Sequence, residues 1–419
     1  MAQAAHQTSS DRAVRRDGGA APRYRWVIVF TAAAMLAVAM GQLVNGLSVF
    51  FIPLEEEFLW ARGSVAMINT VGLIGLALGG IVMGSVADRV GPRRICLCGA
   101  VVTGLCVLAA AWAGALWQFY LLFFVAGAFG AGALFAPLIA LVGAWFPRGA
   151  GLAIGIAAAG QAVGQGGVPF GTAFLIEALG WRGAFMALGL GTLAVLVPLA
   201  LLLREPPQRP VRAAGGGREA AAPLPTAVAV PWLSLAVLFC CTCMAVPLMH
   251  LVPLAQGCGI AAPDAGAVLF VMMAVAIVGR VAFGRFADWV GAMPAYMTAS
   301  LWQTALVFFF TQAGDLETLR IFAPVYGFGY AGVMTGVLVT THALIPASRR
   351  ASATGVIIAF AWLGHGLGGY QGGLFYDLTG GYTVSFANAA AAGVVNLALV
   401  GSLFVMVLRR RPPVTVPAS

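Results

Sequence analysis

Long apolar segments alternate with short polar turns along almost the whole chain. A membrane-spanning helix needs about 20 mostly apolar residues, and twelve segments reach or approach that length. The predicted spans are Trp26–Phe51, Val65–Ala87, Ile95–Leu116, Phe119–Phe146, Leu152–Ile176, Ala184–Leu203, Pro231–Leu254, Gly266–Phe286, Ala295–Thr311, Ile321–Ile345, Ala353–Phe375 and Val384–Leu408. The pattern predicts an all-α integral membrane protein.

The polar connections divide these spans into two groups of six. The longest connection, 204–230, is rich in Pro, Gly, Ala and Arg, as expected of a flexible linker. We therefore predict an N-terminal tail over 1–24, six-helix halves over 25–203 and 231–408, and a C-terminal tail over 409–419. The N-terminal tail lacks the apolar core of a signal peptide, so we expect it to stay cytoplasmic.

Composition excludes a soluble enzyme. The 419 residues are 61% hydrophobic and 9% charged, whereas soluble domains carry about 25% charged residues. The net charge of +9 does not indicate nucleic-acid binding, because basic residues of membrane proteins collect on the cytoplasmic side. If both termini are cytoplasmic, all Arg residues but four lie on the cytoplasmic side. Three of the four, Arg62, Arg182 and Arg320, lie outside, and Arg280 lies within a span.

Neither the cysteines nor the histidines have a spacing that suits a metal, and no segment resembles a nucleotide-binding loop. We therefore expect no metal and no cofactor.

The two halves repeat at a constant offset of 200 residues. Gly84 pairs with Gly284 and Asp88 with Asp288, and in predicted helices 5 and 11 Gly164 pairs with Gly364. Repeated halves of this kind are typical of parallel-repeat transporters. The Gly-rich helices would let the halves pack closely and rock against each other.

The sequence GSVADRVGPRR, residues 84–94, resembles the loop 2–3 signature of the major facilitator superfamily. Further stretches, 47–66, 145–160, 180–185, 250–260 and 372–386, resemble bacterial monocarboxylate transporter homologues and the oxalate:formate exchanger group. The resemblance implies twelve helices in two pseudo-symmetric halves, alternating access, and a small monocarboxylate substrate with proton coupling. It also implies a monomer in the bacterial cytoplasmic membrane that is not an enzyme.

An exporter of drugs or other small organic compounds with the same fold is the alternative. Predicted helix 5 carries part of an antiporter signature, since Gly155 and Gly164 fit it. Val168 before Pro169, and Thr172 in place of a closing Gly, depart from it. These departures weaken the exporter interpretation.

Arg280 is the main candidate for substrate binding. A guanidinium within a span costs about 2.5–3.5 kcal/mol or more unless it faces water or a partner. The resemblance places a carboxylate-binding Arg at this point of helix 8, and a planar guanidinium can hold a carboxylate through two parallel bonds. The alternative is an Arg that snorkels to the cytoplasmic interface.

Other polar residues within the spans have two interpretations each. His365, paired with Gln165 at the 200-residue offset, can contact substrate or pack between helices, and Asn45 can line the pathway or bond across helices. The resemblance gives Tyr120 a substrate contact and His250 a proton-coupling or gate role. Interfacial placement is the alternative for both.

The cytoplasmic ends of predicted helices 2 and 8 form the expected conformational gate. Its carboxylates would meet a helix N-terminus or Arg and hold one state closed. The alternative for the basic residues is a charged turn that sets topology. The candidate gate residues are Gly84, Asp88, Arg89, Gly91, Arg93, Arg94, Gly284, Asp288 and Gly291.

Overall fold

The computed structural model describes residues 21–146, 150–206 and 224–410. The side chains of 21–23, 85, 88, 150–152, 347, 348 and 350–352 are outside this description. The predicted tails lie almost entirely outside the described residues, as does most of the predicted linker.

Twelve helices run back and forth through the described part of the chain. The first, α1, comprises Ala21–Met40, a π-helix Gly41–Asn45, a 3₁₀-helix Gly46–Val49 and a last segment Phe51–Phe58. Helices α2 and α3 are Arg62–Val90 and Pro92–Ala110, and α4 comprises Leu116–Val125, a π-helix Ala126–Ala131 and Gly132–Trp145. One run, Ala150–Leu202, contains α5 and α6 on either side of Gly180. The second half has α7 Thr226–Gly257, α8 Ala262–Val290, α9 Ala292–Val307, α10 Leu316–Leu344, α11 Ala347–Thr379 and α12 Thr383–Arg410.

Nine helices in the described residues are long and apolar enough to cross a membrane, and one of them, Ala153–Leu202, holds both α5 and α6. The two remaining spans fail that criterion for simple reasons. Helix α9 has only 16 residues, and several side chains in the first turns of α11 lie outside the described part of the chain. The predicted all-α, twelve-helix fold is confirmed. Several helices extend beyond the predicted spans, because polar residues at their ends are helical too. Helix α2, for example, begins at Arg62.

Repeat-related glycines make the sharp turns. Gly91 ends α2 with φ 97° and Gly291 ends α8 with φ 94°. The same relation holds between Gly180, with φ 69°, and Gly380, with φ 70°. Positive φ is accessible to Gly without a steric penalty, so the spacing of 200 residues in the sequence marks equivalent turns.

The packing repeats with the same offset. In the first half, a Cβ on Gly79 of α2 would collide with the backbone of Ala128 in α4; in the second, a Cβ on Gly279 of α8 would collide with that of Phe328 in α10. Gly127 approaches α2 as Gly327 approaches α8. The repeat therefore consists of close helix crossings that only Gly permits.

The halves meet at one end of the bundle. Gly366 of α11 packs on Thr70 of α2, and Gly166 of α5 packs on Phe270 of α8, again related by 200 residues. Towards the other end of α5, Gly155 is exposed, and a Cβ added there would meet no described atom within 4 Å. The same is true of Gly355 in α11. We call the first the closed end and the second the open end.

We expect Gly164→Ala to destabilise the protein strongly and Gly155→Ala not to. A Cβ on Gly164 would collide with the backbone of Ala37 in α1, and backbone overlap cannot be relieved by a rotamer change. At Gly155 the Cβ meets nothing among the described residues, so Ala should add up to about 1 kcal/mol through helix propensity. Thermal unfolding of detergent-purified variants measures both. Equal melting temperatures would contradict the close packing of α1 on α5.

Candidate functional site

Arg280 lies half-buried on α8, in the interior of its span. Its Nε is buried and has no hydrogen-bond partner among the described residues, and the guanidinium interacts with the hydroxyl of Tyr330 on α10. None of the ion pairs among the described residues includes Arg280. A partly buried guanidinium without an acidic partner retains donors for an anion. At the repeat-related Gly80 a Cβ meets nothing described within 4 Å.

A pair of tyrosines on α10, one of them in contact with Arg280, was not predicted from the sequence. Tyr330 stacks on Tyr326, with ring centroids 6.1 Å apart and planes at 8°. The Tyr326 hydroxyl is buried without a hydrogen-bond partner among the described residues. Their spacing of one helical turn was a weak signal, because aromatic pairs at this spacing occur in any apolar core.

His365 of α11 is 3% exposed, and its Nε2 is buried without a partner in the described part of the chain. Its ring lies 6.1 Å from that of Trp362, which in turn contacts Phe135 of α4 across the two halves. The Nε2 atom is therefore available to bond a substrate, as a donor or an acceptor according to the tautomer.

Gln165 is also buried. Its backbone carbonyl accepts a bond of 3.1 Å from the Asn45 amide, while its side chain forms no hydrogen bond with the described residues. Gly166 and Gly366, the next residues after Gln165 and His365, occupy equivalent contacts between the halves. That the two side chains face one central cavity stays a prediction.

Asn45 and Asn69 hold the irregular middle of α1 together. The π-helix and the 3₁₀-helix follow each other there, which leaves backbone carbonyls without regular α-helical partners. Asn69 of α2 donates to the carbonyls of Leu43, at 2.6 Å, and Val44, at 3.1 Å. The Oδ1 atoms of Asn45 and Asn69 are buried without partners among the described residues. Both amides thus fix α1 against its neighbours and keep an acceptor available.

Tyr120 links two helices of the first half. Its hydroxyl donates to the carbonyl of Ser64, 3.1 Å away, where α4 crosses α2 near the closed end. In this state the phenol is engaged within the protein. A role in holding substrate remains a prediction.

His250 of α7 is completely buried at the closed end. Its Nε2 lies 2.7 Å from the carbonyl of Gly369, and its Nδ1 lies 3.2 Å from the hydroxyl of Tyr382. A carbonyl only accepts, so Nε2 carries the proton. The Tyr382 oxygen accepts from Arg62 at 3.1 Å, and its hydroxyl is then free to donate to Nδ1. The chain of hydrogen bonds fits a neutral imidazole.

Tyr382 lies in the turn between α11 and α12, outside the spans. Burial raises the pKa of Tyr382 above its ordinary value, and the Arg62 guanidinium beside it opposes that rise. The phenol therefore stays protonated and able to donate at neutral pH.

Arg62 and Asp377 were not assigned a role from the sequence. The Arg62 side chain bonds both carboxylate oxygens of Glu55, at 2.6 and 2.5 Å, and its guanidinium carbon lies 3.9 Å from the Tyr376 ring centroid. The Asp377 carboxylate accepts from the backbone N–H of Arg62 and of Gly63, at 2.8 and 2.6 Å. The only signal in the sequence is an acidic residue, Glu177, at the position 200 residues before Asp377.

The predicted gate residues lie at the α2–α3 and α8–α9 turns of the open end. The predicted gate residues that are exposed there are Arg89, Arg93, Arg94, Asp288 and Gly291, while Gly84 and Gly284 are less exposed and have room for a Cβ. The side chain of Asp88 lies outside the described residues. In the closed gate we predict that Asp88 approaches the start of α11 near residues 349–352, and that Asp288 approaches the start of α5 near residues 148–151. Most of the side chains in these two segments also lie outside the described residues.

The fold and the site define a polytopic helical membrane protein of two repeats that close on each other at one end. A family model described as Major Facilitator Superfamily matches residues 27–318. The chain belongs to the Major Facilitator Superfamily, and it is a transporter and not an enzyme. The recognition of the superfamily from residues 84–94 is confirmed.

Relatives are named monocarboxylate transporters. Monocarboxylate transporter 13 of Rattus norvegicus is 28% identical over 90% of this chain and 87% of its own length. Monocarboxylate transporter 11 of Homo sapiens is 29% identical over 95% of this chain and 84% of its own. The resemblance to monocarboxylate transporters is confirmed, although these relatives are eukaryotic.

A solved structure shares the fold at low sequence identity. It is a bacterial homologue of the human lysosomal transporter Spinster, in an inward-facing and unoccupied conformation. It superimposes with a TM-score of 0.72 and 17% identity, covering 94% of this chain and 99% of its own.

Proposed function

We propose that the protein is a secondary active transporter that moves a small monocarboxylate across a bacterial cytoplasmic membrane by alternating access. Arg280 carries this proposal, because its guanidinium, with a buried Nε, has no acidic partner among the described residues. Such a site gains most from an anion that can accept two parallel bonds. The names of the relatives support a monocarboxylate.

The charge of the site favours one carboxylate over two. The chain contains no Lys, so Arg280 is the permanent cation proposed for the site, and His365 adds at most a titratable one. A second substrate carboxylate would lack a fixed counter-ion in a low-dielectric cavity. Asn45, Gln165 and Tyr120 are proposed to complete the polar lining.

Sidedness follows from the Arg pattern. If most Arg residues are cytoplasmic, both termini and the linker are cytoplasmic too. The closed end is then external and the structure is inward-facing. In this proposal the halves over 25–203 and 231–408 rock within a monomer, and the gate at Asp88 and Asp288 forms when the open end closes.

His250 is proposed to couple protons to this movement. The hydrogen bonds of the closed end fit a neutral imidazole. A protonated His250 could no longer accept from the Tyr382 hydroxyl, and its positive charge would be repelled by the Arg62 guanidinium, which binds the same hydroxyl. Protonation would thereby favour opening of that end. The charged and titratable groups around it are Arg62, Glu55, Tyr376, Tyr382 and Asp377.

Ligand-dependent thermal stability tests the substrate class. Purified protein should melt several degrees higher with short 2-hydroxy or 2-keto monocarboxylates, because a ligand that binds only the folded state stabilises it. The corresponding amides, which lack the anion, are the matched controls and should have no effect. Stabilisation by apolar cations or drugs, with none by carboxylates, would favour the exporter function instead.

A further inference from the structure

We propose that Asp377 is the latch of the closed end. Its carboxylate, at the last turn of α11, caps the N-terminus of α2 and so joins the second half of the protein to the first. The assignment rests on the alternating-access movement proposed above. Its test needs no substrate.

The geometry of the latch is that of a helix N-cap supplied by another helix. The first N–H groups of a helix have no intrahelical acceptor, and Arg62 and Gly63 are the first two residues of α2. One oxygen of Asp377 accepts from each, at 2.8 and 2.6 Å. The residue at the usual capping position, Ala61, has no side-chain acceptor. The carboxylate also meets the positive end of the α2 dipole.

Two glycines make this approach possible. A Cβ on Gly63 would lie 2.9 Å from Oδ2 of Asp377 and 3.2 Å from Cα of Leu374. A Cβ on Gly373 would lie 2.8 Å from the carbonyl oxygen of Arg62. Any larger residue at either position would push α2 and α11 apart, so the sequence is adapted to this contact on both helices.

The latch exists in one copy although the fold is repeated. The repeat-related acid is Glu177, and the repeat-related helix start is Ala262–Pro263. Pro263 has no N–H to donate, and Glu177 takes part in none of the ion pairs among the described residues. Helix α8 instead carries Asp264 in its own first turn. The single copy indicates a contact selected for its effect on α2 and α11, because the repeat alone does not produce it.

The latch is connected to the other helices of the closed end through Arg62. While the Arg62 backbone binds Asp377, its side chain binds Glu55 of α1 and Tyr382. Movement of α2 away from α11 therefore breaks both sets of contacts together. The exposed N–H groups and carboxylate would then bond to water, which makes the contact reversible.

Cysteine accessibility tests the latch. The background replaces the exposed Cys98 and Cys258 by Ser. Ala66→Cys reports on the closed end, because Ala66 is fully buried on α2 beneath the latch. Gly155→Cys reports on the open end, where that position is exposed. Alkylation by a water-soluble maleimide is followed in lipid nanodiscs, where both ends are accessible to reagent.

Asp377→Asn and Gly63→Ala should each raise labelling of the Ala66→Cys reporter by about tenfold, as expected for the loss of one or two charge-assisted bonds. Labelling of the Gly155→Cys reporter should fall in parallel. Glu177→Gln, the repeat-related control, should change neither.

Unchanged labelling in both latch variants would overturn the assignment, and so would an equal effect of Glu177→Gln. Should Asp377→Asn aggregate on gel filtration, Gly63→Ala decides by the same criterion, because it keeps the carboxylate. If the protein binds no monocarboxylate but shows these labelling changes, the latch assignment stands and the proposed substrate is wrong.

Discussion

Arg280→Ala should abolish monocarboxylate uptake into proteoliposomes, by about two orders of magnitude or more, because two charge-assisted bonds to the substrate are lost. The fold should persist, since the repeat-related position is Gly80 and the guanidinium has no acidic partner among the described residues. Arg280→Lys should not restore uptake, because an ammonium group lacks the planar fork.

Arg285→Ala is the matched control for Arg280. It removes an exposed Arg from the same helix, near the open end, and should leave uptake within about twofold of the parent. Thermal unfolding and insertion must be equal across the set. Full uptake by a well-inserted Arg280→Ala carrier would contradict the carboxylate site and favour the exporter function.

His365→Lys should shift the preference of the carrier from monocarboxylates towards dicarboxylates. The substitution places a second permanent cation at a buried position of α11 where the Nε2 of His365 has no partner among the described residues. A buried charge is stabilised when paired and costs several kcal/mol when it is not, so the altered site should favour a doubly charged substrate. Competition of labelled monocarboxylate uptake by unlabelled dicarboxylates measures the shift.

His365→Gln separates charge from hydrogen bonding. It keeps a donor and an acceptor but cannot carry a charge, so it should retain the monocarboxylate preference and lose part of the pH dependence of uptake. If His365→Lys and His365→Gln show the same competition profile, His365 does not lie within reach of the substrate, and packing between helices is its role.

The fold was predictable because its determinants are local and repeated. A run of about 20 apolar residues predicts a membrane helix, and the offset of 200 residues pairs Gly84 with Gly284 from the sequence alone. Arg280 was predictable for a related reason. An intramembrane charge is costly enough that its presence alone indicates function.

The closed end was not predictable from the same signals. Asp377 meets backbone N–H groups of Arg62 and Gly63, and a backbone donor has no signature in the sequence. Arg62 lies at the start of a span, where a charge costs little, so it was interpreted only as an external charge. The π-helix of α1 was likewise missed, because Gly41–Asn45 is as apolar as its surroundings apart from Gln42 and Asn45.

The irregular middle of α1 separates two segments that pack on different halves of the protein, which limits how the halves can recombine in evolution. The first segment of α1 packs on Gly160 and Gly164 of α5, in its own half. In the last segment, Phe51 contacts His250 of the other half, with ring centroids 5.3 Å apart. A recombination within 204–230 would bring together halves whose Phe51 and His250, or Gly63 and Asp377, have different ancestries. Lineages of this carrier should therefore inherit these pairs as units, even where the rest of each half diverges freely.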